Sequence, residues 1–197
     1  RLTTPTVRLA QQMLTRHRSL LGRVEKHYGV SSRIVVSVWG LESNFGRFAG
    51  VRPTIPALVT LAYDPRRGAM FRNELFNALE IVNRGDIELE RLKGSWAGAL
   101  GQPQFMPSSY RAYAVDGDGD GRRNLWASWS DVFASVANYL RAHGWRTDEP
   151  VMARADVADA NLAGLEFGKL DLTETVGSLK ARGVSFEILD GEIFGLI

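Results

Sequence analysis

Two short stretches of this 197-residue sequence hold residue types that can do chemistry. The first is Val38-Trp39-Gly40-Leu41-Glu42-Ser43-Asn44-Phe45-Gly46. Glu42 is the only acidic residue between Ser37 and Tyr63. It falls at the expected C-terminal end of a helix, among apolar neighbours. The negative end of the helix dipole and desolvation both raise a carboxyl pKa there. A carboxyl that stays protonated near neutral pH can serve as a general acid. The bland alternative is a surface glutamate on a helix terminus, the fate of most glutamates. The second stretch is Asp116-Gly117-Asp118-Gly119-Asp120-Gly121. It reads as the first half of an EF-hand loop, with carboxylates at positions 1, 3 and 5 and glycine at the sharp turn. That pattern suits a hard cation such as Ca²⁺. Arg122 at position 7 would offer its backbone carbonyl. Position 12 is Ala127 instead of a bidentate glutamate, so Asp131 is the candidate to close the shell. The alternative is a solvated acidic turn, since Asp-Gly pairs favour turns.

The surroundings of Glu42 suggest its substrate. No acidic residue lies between Gly94 and Val115. Trp39, Asn44, Phe45, Ser95, Trp96, Gln104, Phe105, Ser108, Ser109 and Tyr110 supply aromatic faces, neutral amides and hydroxyls. Rings cover the apolar faces of a sugar and the polar groups bond its hydroxyls.

These residues need elements to position them. Val7, Ala10, Leu14, Leu21, Val24 and Tyr28 recur at helical steps and predict an amphipathic helix over residues 4–28, stopped at Gly29. A second helix, capped by Ser31 or Ser32, runs to Glu42 and ends at Asn44-Phe45-Gly46. Further helices are expected over Ala57–Tyr63, Phe71–Asn83 and Ser130–His143, with a Gly-, Ser- and Pro-rich loop over 94–110. After Pro150 the texture changes. The β-prone pieces Val151–Met152 and Val184–Ile188 flank a helix-like Thr173–Ala181. The expected fold is mainly α: a helical core over 1–148, with the acidic loop at 116–131, and a small α/β appendage over 149–197. The apolar finish Phe194-Gly195-Leu196-Ile197 hints at further chain.

Composition narrows the function classes. Lys and Arg total 24 against 22 Asp and Glu, a net charge of +2 without a concentrated basic stripe, so nucleic acid is not an expected partner. There is no cysteine, which removes zinc–thiolate sites, Fe–S clusters and cysteine nucleophiles. No apolar run is long enough to span a bilayer. Ser108 and Ser109 have no nearby histidine for a serine hydrolase. His17, His27 and His143 are too scattered for a metal set and read as surface or capping residues. Trp126, Trp129 and Trp145 read as core anchors.

The block around Glu42 resembles the catalytic glutamate motif of lytic transglycosylases. Gly94-Ser95-Trp96-Ala97-Gly98-Ala99-Leu100-Gly101-Gln102-Pro103-Gln104-Phe105-Met106-Pro107-Ser108-Ser109-Tyr110 extends the match. So do Asp116 through Trp126, Ser135–Leu140 and His143-Gly144-Trp145. In this order they resemble the membrane-bound lytic transglycosylase B family, over about residues 20–190. The resemblance implies a lysozyme-like helical core, a small β-containing domain and an EF-hand-like Ca²⁺ site, with no organic cofactor. It implies cleavage of the β-1,4 bond between MurNAc and GlcNAc in peptidoglycan, leaving a 1,6-anhydroMurNAc end. Glu42 would be acid and then base. Ser95, Gln104, Phe105 and Tyr139 would line sugar subsites, and Arg66 and Arg67 would meet peptide-stem carboxylates. Asp116, Asp118, Asp120 and Asp131, with the Arg122 carbonyl, would hold the metal.

The resemblance also accounts for the single carboxylate, because glycosidases ordinarily need two. Members of the family continue past the equivalent of Ile197 to a helix bordering the active site, so a further C-terminal segment is expected. Peptidoglycan strands are the expected partner, with other cell-wall enzymes as a further class. The periplasm follows from the substrate, with outer-membrane association as one arrangement. Membrane attachment would need a segment outside the sequence. Two rival functions stand beside this one. A hydrolytic muramidase would need a second carboxylate, with Asp64 or Glu74 to serve. A non-catalytic peptidoglycan-binding module is the other, favoured if the C-terminal part is lost.

Overall fold

A computed structural model describes residues 3–147, 149, 154–158, 160–163 and 175–187. Its contacts divide the chain into a larger unit, Arg1–Thr147, and a smaller one within Asp148–Phe194. The larger unit is mainly helical, as the periodicity predicts.

The long helix expected over residues 4–28 is two helices, α1 (Thr4–Arg16) and α2 (Arg18–Tyr28), which meet at His17. Thr3 caps α1 by accepting from the Thr6 amide, and Pro5 sits in the first turn, where no amide partner is lost. Gly29 ends α2 with φ 71°, in the left-handed region that glycine enters without strain. Its carbonyl accepts from Trp145 Nε1 at 2.9 Å, which ties Trp145 to the core.

α3 (Ser32–Ser43) starts on Ser31, whose side chain accepts from the Arg33 amide. α4 (Thr54–Ala62) begins three residues earlier than the sequence suggests. Pro56 lies in its first turn, where its missing amide costs nothing, so the proline does not exclude the helix. α5 (Gly68–Asn83) packs against α4. The segment expected as loop over 94–110 ends in α6 (Pro107–Tyr113), with Pro107 at its first position. α7 (Trp129–Ala142) is capped by Ser128, which accepts from the Asp131 amide at 3.3 Å.

A two-residue antiparallel ladder joins β1 (Arg52–Pro53) and β2 (Lys93–Gly94). Leu100 then forms isolated bridges to both Gly94 and Phe105. This small sheet runs from α4 to the segment that carries Gln104 and Phe105.

Two apolar clusters hold the unit together. One gathers Leu21, Val24, Val35, Val36, Trp39, Val132, Phe133 and Val136 from α2, α3 and α7. The other gathers Leu58, Phe71, Ala78, Ile81, Leu100, Tyr110 and Leu125. Burying one such side chain stabilises the fold by about 1.5–3 kcal/mol.

His17 is not a surface residue. It is buried, edge-on to Trp39, Trp129 and Phe133, with ring centroids 5.8, 4.4 and 5.5 Å away. Burial lowers its pKa, reinforced by neighbouring Arg16. The smaller unit pairs β3 (Arg154–Asp156) with β4 (Ser185–Glu187) in antiparallel register, with α8 (Val176–Ala181) between them in sequence. The strand expected at Val151–Met152 and the apolar finish Phe194–Ile197 lie outside the described residues.

Candidate active site

α3 delivers Glu42 from its last turn, and the sharp reversal after it keeps the carboxyl clear of the chain. Asn44, Phe45 and Gly46 all have positive φ, at 49°, 58° and 82°. Two side chains over-determine that costly conformation. Buried Ser43 donates to the Trp39 carbonyl at 3.0 Å and accepts from the Gly46 amide at 3.0 Å. The Phe45 ring folds back over Gly40, where a Cβ would stand 2.7 Å from it.

Glu42 lines a cleft of about 340 Å³ at the junction of the two apolar clusters. α3 gives Val38 and Glu42, and α7 gives Val136, Tyr139 and Leu140. The segment leading into α6 gives Pro103, Gln104, Phe105 and Met106, and α6 itself gives Ser109. Glu42 is the sole carboxylate among these lining residues. Its carboxyl is solvent-accessible, yet burial by the apolar wall raises its pKa above the ordinary carboxylate value. Among the described residues it makes no hydrogen bond or ion pair. A carboxyl in that state keeps its proton longer than a surface glutamate and has both oxygens free for a ligand.

The other expected sugar-binding residues divide. Gln104 lies in the cleft with φ 53°, its Nε2 donating to the Gly101 carbonyl at 2.8 Å, so its side-chain oxygen is left to a ligand. Phe105 and Tyr139 pack ring against ring at 5.2 Å on the cleft wall. Ser95 is not among the lining residues. Its hydroxyl accepts from the amides of Ala97 and Ala99 and holds a tight turn. Arg66 and Arg67 lie between α4 and α5, also outside the lining. Arg66 pairs with Asp64 at 3.2 Å, and Arg67 stacks over Phe71.

Trp39 and Tyr110 belong to the core, not to the groove. Tyr110 donates its hydroxyl to the Arg123 carbonyl. Val38, Met106, Val136 and Leu140 are cleft residues that the sequence does not single out. Three of them sit on helix faces that read as ordinary core, and only tertiary packing turns those faces to the cleft.

The two carboxylates offered for a hydrolytic mechanism are engaged elsewhere. Glu74 is buried on α5 and accepts from the Ser108 amide at 2.8 Å and the Ser108 hydroxyl at 2.7 Å. It caps the N-terminus of α6. Asp64 is held below the usual carboxylate range, chiefly by the Arg66 side chain and amide.

The acidic loop folds on itself. Asp116, Asp118 and Asp120 bring one carboxylate oxygen each to within 4.8 Å of the others. Asp116 accepts from the amides of Gly119 and Gly121 at 2.7 and 2.8 Å, and those bonds lower its pKa, Gly121's most. Such a cluster of hard oxygen donors fits a divalent cation of the Ca²⁺ type. Asp131 does not join it. Fully buried at the start of α7, it accepts from the amides of Gly117 at 2.8 Å and Asn124 at 2.6 Å. Its carboxylate braces both ends of the loop, and burial, with the charge of nearby Asp118, raises its pKa. The Arg122 amide donates to Asp120 at 2.8 Å.

A mainly helical unit with an open cleft and one unpaired carboxylate is the class that this fold and site define. Residues 1–189 match the transglycosylase SLT domain, and the chain belongs to that family. It is 40% identical over 166 residues to the membrane-bound lytic murein transglycosylase B of Escherichia coli, covering 84% of this chain and 45% of that protein. The structure of SltB3 from Pseudomonas aeruginosa in complex with NAG-anhNAM-pentapeptide is 38% identical. It matches with a TM-score of 0.83 over 98% of this chain and 52% of that one. The Escherichia coli lytic transglycosylase Slt35 in complex with calcium is 36% identical. Its TM-score is 0.84, over 94% of this chain and 58% of that one. The chain thus spans about half the length of these relatives. Among its described residues no helix is long and apolar enough to cross a membrane.

Proposed function

We propose that the chain carries the lytic transglycosylase activity of its family, cleaving the β-1,4 bond between MurNAc and GlcNAc in peptidoglycan. The observation that carries this reading is the solitary, unpaired Glu42 in a cleft otherwise lined by neutral side chains. A water-dependent glycosidase places a second carboxylate opposite the acid to attack or to activate water. Here Glu74 and Asp64 are committed to α6 and to Arg66.

One carboxyl suffices when the substrate brings its own nucleophile. Glu42 gives its proton to the glycosidic oxygen as the C1–O bond breaks, and the GlcNAc end leaves as an alcohol. The 2-acetamido group of MurNAc stabilises the electron-poor C1. Glu42, now ionised, takes the proton of the MurNAc 6-hydroxyl while O6 bonds to C1. The acid is regenerated and a 1,6-anhydro ring is formed. Because the attack is intramolecular, its effective molarity is high and no bound water needs positioning. Gln104, Phe105 and Tyr139 line the same cleft and would hold the sugar against Glu42. Ser95, Arg66 and Arg67 lie outside that lining and would contact a longer strand or its peptide stems.

In the same reading Asp116, Asp118 and Asp120, with the Arg122 carbonyl, hold Ca²⁺ as a structural ion, and Asp131 braces the loop around it. The calcium bound to the related Slt35 supports that choice of metal. The substrate places the protein in the periplasm.

The test is Glu42→Gln on purified peptidoglycan. Turnover should fall by about 10²- to 10⁴-fold while the protein still sediments with the glycan. Normal turnover in that variant would refute the assignment.

A further inference from the structure

Gln102 is a polar side chain sealed inside the protein, 5% exposed, and the mechanism makes no use of it. Its carboxamide is nonetheless engaged at both its oxygen and its nitrogen. Oε1 accepts from Trp39 Nε1 at 2.6 Å in a buried bond, and Nε2 donates to the Trp126 carbonyl at 2.8 Å. Its backbone amide donates to the Leu125 carbonyl at 2.9 Å. The same Oε1 packs against Gly46, where a Cβ would stand only 2.4 Å away.

Each contact bears on Glu42. Trp39 lies one helical turn before Glu42 on α3, and its carbonyl anchors the Ser43 hydroxyl and the Phe45 amide. Gly46 closes the three-residue reversal that follows. Leu125 and Trp126 follow Asn124, whose amide is held by Asp131. One carboxamide therefore grips the helix before Glu42, the turn after it, and the segment braced by Asp131.

We infer that Gln102 is a positioning residue: its carboxamide fixes the turn of α3 that presents Glu42 to the cleft. The inference rests on the transglycosylase reading for its kinetic consequence, but its structural consequence can be read without turnover. An apolar residue of equal length would leave the buried Trp39 indole N–H without a partner and free the part-buried Trp126 carbonyl, and the turn would relax to recover them. A displacement near 1 Å at a reacting group can cost about 100-fold in rate. Relaxation would also admit water around Glu42 and lessen the burial that holds its pKa up. Among the described residues that line the cleft, Tyr139 is the only other titratable group, and His143 stacks on its ring at 4.1 Å, so these two are the neighbours to account for in that readout.

The experiment compares wild type, Gln102→Met, Gln102→Glu and Trp39→Phe in two measurements. One is the glycan-release rate with kcat and KM separated. The other is the titration of the Glu42 side-chain carboxyl by ¹³C NMR. Gln102→Met should lower kcat by about 10- to 100-fold with KM within about twofold, and move the Glu42 midpoint down. Gln102→Glu keeps the acceptor for Trp39 and should recover part of the loss. Trp39→Phe removes the same bond from its other end while keeping an aromatic ring, and should reproduce the phenotype if Gln102→Met does not fold. An unchanged kcat with an unchanged Glu42 midpoint in a folded variant would overturn the inference. So would a rise in KM alone. If wild type itself releases no anhydro product, the activity reading fails and the Glu42 midpoint decides the positioning role by itself.

Discussion

Glu42 combines exposure to ligand with a raised pKa, and both follow from its place on the rim of an apolar wall. The sign of the consequence is definite. A carboxyl whose folded-state pKa is raised above its unfolded value opposes folding once pH passes the unfolded value, since ionisation is harder in the native state. Glu42→Gln should therefore melt no lower than wild type at pH 7, and by calorimetry somewhat higher, while losing turnover. A lower melting temperature would mean that the carboxylate contributes favourably to the native packing. The activity profile has the same origin. In the proposed mechanism the protonated acid is the working form, so kcat/KM should fall as pH rises through the Glu42 pKa, and that limb should lie above the range of an ordinary glutamate.

His17 behaves in the opposite sense. Burial lowers its pKa from the usual 6.5, so its neutral form is favoured in the fold, and the stability this represents is lost as pH falls below about 6.5. His17→Phe should flatten the acid side of a stability-versus-pH curve measured by urea unfolding.

At the scale of elements, what can be read in the sequence depends on how far apart the partners lie. The helix ending at Glu42 is visible because its signals are local: Ser31 at one end, Asn44-Phe45-Gly46 at the other, apolar residues at helical spacing between them. The acidic loop is visible for the same reason. Glu74 is not, because the Ser108 amide and hydroxyl that it caps lie 34 residues away. Gln102 and Trp39 are separated by 63 residues, and nothing in either local pattern announces the bond. Misreadings of type share this cause. Trp39 and Tyr110 have the composition of a sugar platform, and only packing decides that they face inward. The break at His17 is similar, since an unbroken apolar period continues through it while the ring turns in among three other aromatic rings. Glu74→Ala should therefore cost about 1–3 kcal/mol in denaturant unfolding, since it strands two part-buried donors of Ser108 at the start of α6. An effect within about 0.5 kcal/mol would show that α6 does not depend on its cross-element cap.

At the scale of the whole molecule, the acidic loop and the cleft are joined through one stretch of chain. Asp131 holds Gly117 and Asn124 together, and Gln102 holds Leu125 and Trp126 to α3. A cation bound by Asp116, Asp118 and Asp120 stabilises the folded form by mass action, about 2.7 kcal/mol at a concentration 100 times its Kd. Adding Ca²⁺ to chelator-treated protein should raise the melting temperature, and Asp118→Asn with Asp120→Asn should abolish the rise. No rise in wild type would leave the loop as a solvated turn. The chemistry at Glu42 makes a sharper demand on the product. In mass spectrometry of the fragments released from purified peptidoglycan with Ca²⁺ present, a single acid–base carboxylate predicts muropeptides lighter by one water and lacking a reducing end. Reducing muropeptides would contradict it, because water would then be the nucleophile and a second activating group would have to exist.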